Sequence, residues 1–347
     1  MPKAREAFEI AGYRVEPGER LRIQLPLGTL YNHQKIQLPL EIIHGKKEGP
    51  VLLISACVHG DEINGVEIVT RLLARKQLRQ IHGTLVVAPV VNVYGFLNHS
   101  RYLPDRRDLN RSFPGSEKGS MAARLAYLFV NEVLSVCTHG IDLHTGAIHR
   151  SNLPQIRVDL DQEGILELAQ SFQVPVILDN PTIPNSMRYT AQQRGIPLLL
   201  YEAGEALRFD ETAIRGGVKG ILGVMRYLQM LPQAPKTDHS KALRPPVISR
   251  SSYWIRSPQG GVLRTHAKLG QWVKKGDVLG HVADPFGERA ENVKARTSGI
   301  LVGISYLPLV EEGTALFHVA QFAEANVVEA MIERFHEQLE QLEQGFM

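Results

Sequence analysis

Apolar and polar residues alternate along Leu21-Arg22-Ile23-Gln24-Leu25 and again along Ile36-Gln37-Leu38, the period of half-buried strands. Up to about Gly49 the chain therefore predicts antiparallel edge strands. The pattern then changes. Val51-Leu52-Leu53-Ile54-Ser55-Ala56 is an unbroken apolar run, as in a central strand covered on both faces. Ile63, Val66, Ile68, Val69, Leu72 and Leu73 recur at helical spacing after it, and Gly83 to Val90 is a second buried run. Strand, helix, strand in this order predicts an α/β layer.

The alternation continues. Helices are predicted over Met121–Val136, Glu163–Phe172, Met187–Arg194 and Ile214–Gln229, and strands over Gly140–His144, Pro175–Leu178 and Pro197–Glu202. Leu231 to Pro246 carries Pro232, Pro235, Pro245 and Pro246 among polar residues without periodicity, which reads as a linker. Beyond it, glycine-punctuated short strands around 257–263, 270–280 and 297–302 predict a small all-β domain. The tail from Ala323 places Val327, Val328, Met331, Ile332, Phe335, Leu339 and Leu342 at helical spacing opposite a glutamate-rich face. The expected organisation is an α/β domain over 1–231, a linker over 232–246, the β domain over 247–322 and an amphipathic helix over 323–347. That helix is expected to dock on its own chain, with a homo-oligomer as the alternative.

Composition narrows this picture only modestly. The chain has 347 residues, enough for two domains, with 44% hydrophobic and 22% charged residues, ordinary for a globular protein. A net charge of +3 is too slight to imply a nucleic-acid partner. The two cysteines, Cys57 and Cys137, lie in apolar runs and offer no disulfide framework, so a reducing, cytoplasmic setting is expected. The first residues lack an apolar signal core, and no apolar run is long enough to span a bilayer.

The candidate chemistry changes more. His59-Gly60-Asp61-Glu62 follows the carboxyl end of the first buried strand, and Asp142-Leu143-His144 ends another. Two imidazoles and one carboxylate form the ligand set of a catalytic zinc ion that keeps a fourth position for water. His59 and Glu62, three apart, share a face on a helix or its first turn; the alternative is an ordinary helix cap. Asp142, two residues before His144, suits a carboxylate that orients a metal-bound imidazole; the alternative is a buried hydrogen-bonded histidine. Glu202 ends a third buried strand, where a partly desolvated carboxylate could act as general base, with Glu205 as its rival. The polar loop Asp108 to Gly115, with Arg101, Arg106 and Arg107 nearby, could clamp a carboxylate or be a solvated turn.

In order, His59-Gly60-Asp61-Glu62, Asp108-Leu109-Asn110-Arg111, Asp142-Leu143-His144 and Tyr201-Glu202-Ala203-Gly204 resemble the aspartoacylase and succinylglutamate desuccinylase family, which belongs with the zinc carboxypeptidases. The resemblance spans roughly residues 15 to 320. It implies a zinc-carboxypeptidase-like mixed central sheet flanked by helices. It implies one Zn2+ per chain on His59, Glu62 and His144, with Glu202 as general base and proton shuttle. Asn110 and Arg111 would grip the substrate carboxylate, Arg101 would polarise the scissile carbonyl, and Arg188 would make a second carboxylate contact. Gly270 to Gly280 resembles the half-repeat of biotinyl/lipoyl barrel-sandwich domains, but the matching tip, Asp284 to Glu288, has no lysine, so no lipoyl or biotinyl group is expected.

The reading is a zinc-dependent hydrolase of the amide bond in an N-acyl amino acid or similar small carboxylate, without nucleic-acid or membrane partners. A zinc carboxypeptidase or peptide amidase would use the same site. A non-catalytic binding protein would have no need of Glu202.

Overall fold

The computed structural model describes residues 5–233, 246–322 and 325–344. Most of the expected linker, 232–246, and the first residues of the expected tail lie outside the described residues, as do the side chains of Val327, Val328 and Leu342.

A central mixed sheet carries the fold. Lys47–Ala56 pairs in parallel with His82–Ala88 on one side and with His139–Gly146 on the other. Leu198–Glu205 pairs in parallel with His139–Gly146. The two alternating segments near the start form an antiparallel pair, Arg20–Thr29 with Lys35–His44, at one end of the sheet. Arg150–Val158, which the apolar pattern does not announce, runs antiparallel to Leu198–Glu205.

The unbroken apolar runs are explained by the two packed faces. Leu52, Ile54 and Ala56 pack on one side with Ile68, Leu72, Leu168 and Val218 from the helices Asn64–Leu73, Ile165–Ser171 and Glu211–Tyr227. Leu53 points the other way, to Leu125, Phe129 and Met187 from Met121–Glu132 and Met187–Gln193. Each fully buried aliphatic side chain contributes roughly 1.5–3 kcal/mol. The parity also orders the chemistry. Ile141 and Leu143 belong to the first core, so Asp142 and His144 fall on the other face, as do Leu200 and Glu202 beside Leu199 and Tyr201.

The C-terminal region is β-rich. Gly261–Thr265, Val278–Ala283, Ala290–Lys294 and Leu309–Val310 form a separate four-stranded sheet. Asp284 to Glu288 forms the turn between two of these strands, where Asp284 Oδ1 accepts hydrogen bonds from the Phe286 and Glu288 amides. Ser252–Arg256, Ala315–Ala320 and Gly299–Ser305 instead continue the central sheet, joining it where Gly303 pairs with Asn152. The last helix, Ala325–Gln344, lies against Glu211–Tyr227 of its own chain, with Met331, Ile332, Phe335 and Leu339 buried. Among the described residues no helix is long and apolar enough to cross a membrane.

Candidate metal centre and active site

The site forms at the carboxyl ends of three adjacent parallel strands, where an open α/β sheet leaves a crevice. Register decides what meets there. Ala56 stands beside Leu143, and His144 stands directly beside Glu202. His59 and Glu62 lie in a turn just before the Asn64–Leu73 helix, closed by the Glu62 amide donating to the His59 carbonyl. No side chain caps that helix, so neither residue serves as a cap. Gly60 lets the turn press on the chain at Gly95, since a Cβ there would come within 2.0 Å of the Gly95 carbonyl carbon.

His59, Glu62 and His144 are almost wholly buried, and their candidate ligand atoms lie within 4.8 Å of one another. Glu62 Oε1 is 2.8 Å from His59 Nδ1, and Glu62 Oε2 is 2.7 Å from His144 Nδ1. The far side of each ring meets another acid: His59 Nε2 is 3.2 Å from Asp108 Oδ1, and His144 Nε2 is 2.7 Å from Asp142 Oδ2. Ser55 Oγ donates to Asp142 Oδ1, and the Thr145 amide donates to Glu62 Oε2. Each imidazole thus stands between two carboxylates. Burial alone would lower both histidines, but the acids around them outweigh it and raise both. Burial likewise works against the ionised forms of Glu62 and Asp108, yet both are held well below the usual carboxylate range, chiefly by the two imidazoles for Glu62 and by His59 with Arg101 for Asp108.

This arrangement fits a divalent ion. With each Nε2 facing an outer acid, each Nδ1 faces Glu62, and the short Nδ1–carboxylate contacts call for a proton or a metal cation between them. Two imidazole nitrogens and a carboxylate, each imidazole backed by a further acid, match a three-ligand zinc site.

A cavity of about 250 Å³ opens beside this group, lined by His59, Glu62, His144 and Glu202 together with five arginines: Arg101, Arg111, Arg150, Arg157 and Arg188. Glu202 Oε2 accepts a hydrogen bond from Asn152 Nδ2 at 2.7 Å, and Oε1 lies 3.4 Å from Arg157 Nη1. Its rival Glu205 is turned away, accepting from the His149 amide and pairing with Arg208. Arg101 reaches inward, 2.9 Å from Asp108 Oδ2 and 3.5 Å from Glu62 Oε1. Asn110 Oδ1 accepts from the Met187 amide, which turns its NH2 group to the remaining space. Arg111 is exposed and donates to the Asn110 carbonyl. Arg188 is buried and donates to Asn180 and the Pro181 carbonyl; burial, then the charge of Arg157, pulls it down to about 10.

Asn152, Arg157, Arg150 and Trp254 line the same cavity and escape the sequence reading. Asn152 and Arg157 are an odd number of residues apart, which ordinarily puts two side chains on opposite faces of a strand. A bulge resets the alternation: Glu202 pairs with Gln155 while Gly204 pairs with Asn152, so the extra residue falls at Leu153-Pro154. Pro154 is the one local signal of it, since a proline within a strand marks a bulge or an edge.

Fold and site together define an α/β protein with a His–Glu–His centre at the carboxyl edge of its parallel strands. The chain belongs to the family of the succinylglutamate desuccinylase/aspartoacylase catalytic domain, whose sequence profile matches residues 48–228. This is a family of deacylating hydrolases. The chain is 25% identical over 313 residues to an N-alpha-acetyl-L-2,4-diaminobutyric acid deacetylase of Halomonas elongata, covering 84% of this chain and 87% of that protein. It is 30% identical over 218 residues to a succinylglutamate desuccinylase of Pseudomonas aeruginosa, covering 57% of this chain and 63% of that protein. In fold it is similar to the product-bound ectoine utilization protein EutE (DoeB) of Ruegeria pomeroyi, with a TM-score of 0.78, 21% identity, and 93% and 98% of the two chains covered.

Proposed function

We propose that this protein is a zinc-dependent deacylase that cleaves the amide bond of an N-acyl amino acid or a similar small carboxylate. The observation that carries the reading is the buried His59–Glu62–His144 group, each imidazole backed by an acid, with Glu202 beside His144 in strand register. His59, Glu62 and His144 would hold the ion. A bound zinc supplies a water acidified toward neutrality and a Lewis acid for the carbonyl oxygen.

The remaining roles belong to the chain. Asn152 ties down Glu202 Oε2, so Oε1, beside Arg157, would be the oxygen that takes a proton from water and returns it to the leaving nitrogen. Arg101, anchored by Asp108, would polarise the scissile carbonyl from beside the metal ligands. The Asn110 NH2 group, Arg111 and Arg188 would hold the substrate carboxylate. Asp142 and Asp108 would keep the two imidazoles oriented. The five arginines lining the cavity favour a small anionic metabolite, which weighs against the carboxypeptidase and peptide amidase alternatives.

The test is a panel of N-acetyl and N-succinyl amino acids and short peptides, assayed with Glu202→Ala and elemental analysis. The expected outcome is hydrolysis within the acyl amino acids, lost in Glu202→Ala by ~10³-fold or more with zinc retained. Metal-free protein after zinc-replete expression, or undiminished turnover in Glu202→Ala, would overturn the proposal.

A further inference from the structure

Beyond Glu202 the pocket wall continues along a row of cross-strand neighbours. Gly204 stands opposite Asn152, Asn152 opposite Gly303, Gly303 opposite His318, and His318 opposite Trp254. The row leads from the strand of the catalytic glutamate into the C-terminal β-rich region. Gly303 is the low point of that row. A Cβ there would come within 3.1 Å of both Asn152 Oδ1 and His318 Cβ, and within 3.5 Å of Trp254 Cη2. Trp254 therefore leans over the glycine and joins the lining of the cavity.

One face of the Trp254 indole is stacked on the His318 imidazole, with centroids 4.6 Å apart and planes inclined by 9°. His318 is fastened to Ser252 Oγ, and burial, then the charges of Arg157 and Arg150, pulls it down to about 3. It is a neutral plate. The Arg150 guanidinium carbon lies 4.5 Å from the indole centroid, which the stacked imidazole leaves room for only on the other face. Among the described residues the Arg150 guanidinium has no hydrogen bond or ion pair, and its Nε is buried. An arginine held flat on an aromatic ring keeps the edges of its fork free for an oxyanion in its own plane.

Placement completes the picture. Along the Leu198–Glu205 strand, Arg157 stands opposite Leu200 and Asn152 opposite Gly204, with Glu202 between them. Arg150 follows beyond Asn152 at the end of the strand, and its guanidinium rests on Trp254. Arg157 pairs with Glu202, whereas Arg150 is held by the indole and is left to the cavity.

We propose that Arg150 is a specificity-determining residue that binds a carboxylate on the part of the substrate lying on the Trp254 side of the scissile amide, with Trp254 as its positioning residue. The inference rests on the deacylase reading of the site. The carboxylate belongs either to the acyl group or to the amino acid side chain, and the substrates below separate the two.

The experiment compares wild type, Arg150→Gln, Trp254→Ala and Trp254→Phe on N-acetylalanine, N-succinylalanine and N-acetylaspartate, with succinate and acetate binding followed by calorimetry on zinc-loaded protein. Arg150→Gln should raise KM roughly 10- to 100-fold for the substrate whose extra carboxylate it meets, far more than for N-acetylalanine, with kcat little changed. Trp254→Ala should reproduce part of that rise, and Trp254→Phe should bring KM back toward the wild-type value. Wild type should bind succinate more tightly than acetate, and Arg150→Gln should lose that preference. An equal KM change on all three substrates, no change on any, or a succinate preference that survives Arg150→Gln would overturn the proposal. If wild type hydrolyses none of the three, the succinate titration alone decides whether Arg150 binds a carboxylate, and the broader panel above decides the deacylase reading.

Discussion

On one wall of the pocket, Glu62, Asp108 and Asp142 surround two imidazoles, and every one of these groups has a close partner. On the other wall, Arg188 is satisfied only by neutral oxygens, Arg157 leans on Glu202 at 3.4 Å, and Arg150 rests on an indole. The first wall gathers anions around a point that a cation would complete. The second gathers cations around a space that an anion would complete. Burial makes both arrangements costly when they stand alone, which is why each indicates what belongs beside it. The contrast also separates two kinds of mutational consequence. On the proposed function, damage to the first wall should cost metal binding and with it turnover, whereas damage to the second should weaken substrate binding and leave metal binding intact.

The largest effect expected is that of His144→Ala, which deletes a proposed ligand and strands Asp142. It should lower kcat/KM by ~10³-fold or more and abolish stoichiometric zinc in elemental analysis. A variant that keeps both would break the comparison at its root. Asp142→Asn is milder: it leaves the ligand but weakens its orientation, so zinc affinity, measured by competition with a chelating dye, should fall ~10- to 100-fold, and excess zinc should restore much of the activity. On the second wall, Arg188→Lys keeps a charge but loses the planar fork. KM should rise by about tenfold with zinc content unchanged. Zinc loss in that variant would show that the two walls are not separable.

The smallest effect lies away from both walls and tests the same rule about buried cations. Lys219 donates to Gln338 of the last helix and lies 5.9 Å from the Phe335 ring; burial pushes its ammonium down to about 8 from an ordinary 10.5. Between those two values the unfolded chain binds a proton that the folded chain does not, so stability should rise with pH through that window. Lys219→Met should stabilise the protein by ~1–2 kcal/mol at pH 7, read as a higher melting temperature, and the advantage should fade by about pH 10.5. An advantage independent of pH would attribute it to packing instead.

Much of the fold was legible because it depends on local period. The apolar runs at 51–56, 83–90 and 197–202 marked central strands, and the helical faces between them marked an α/β layer. The Arg150–Val158 strand was not legible. Its polar residues face the cavity, and Pro154 interrupts the pattern where the bulge lies. The site divided in the same way. His59, Glu62, His144 and Glu202 announced themselves by residue type and by position at strand ends. Asn152, Arg150 and Arg157 did not, because a polar strand without visible alternation gives no reason to aim its side chains anywhere. Trp254 lay farther out of reach, because nothing in its local pattern aims one side chain of the C-terminal β region at the cavity.

What the chain determines by itself is the stock of groups: two imidazoles and acids that could hold a cation, a carboxylate to move a proton, and arginines for an anion. Side-chain chemistry and the helix and strand periods are local properties, so they can be read residue by residue. Which of these groups share a pocket was decided by tertiary structure alone. The bulge at Leu153-Pro154 turns Asn152 and Arg157 to one face, and the pairing of Gly303 with Asn152 carries Trp254 to Arg150. Both are matters of strand register, set by hydrogen bonds between segments distant in sequence, and a register shift of one residue would send every one of these side chains to the other face.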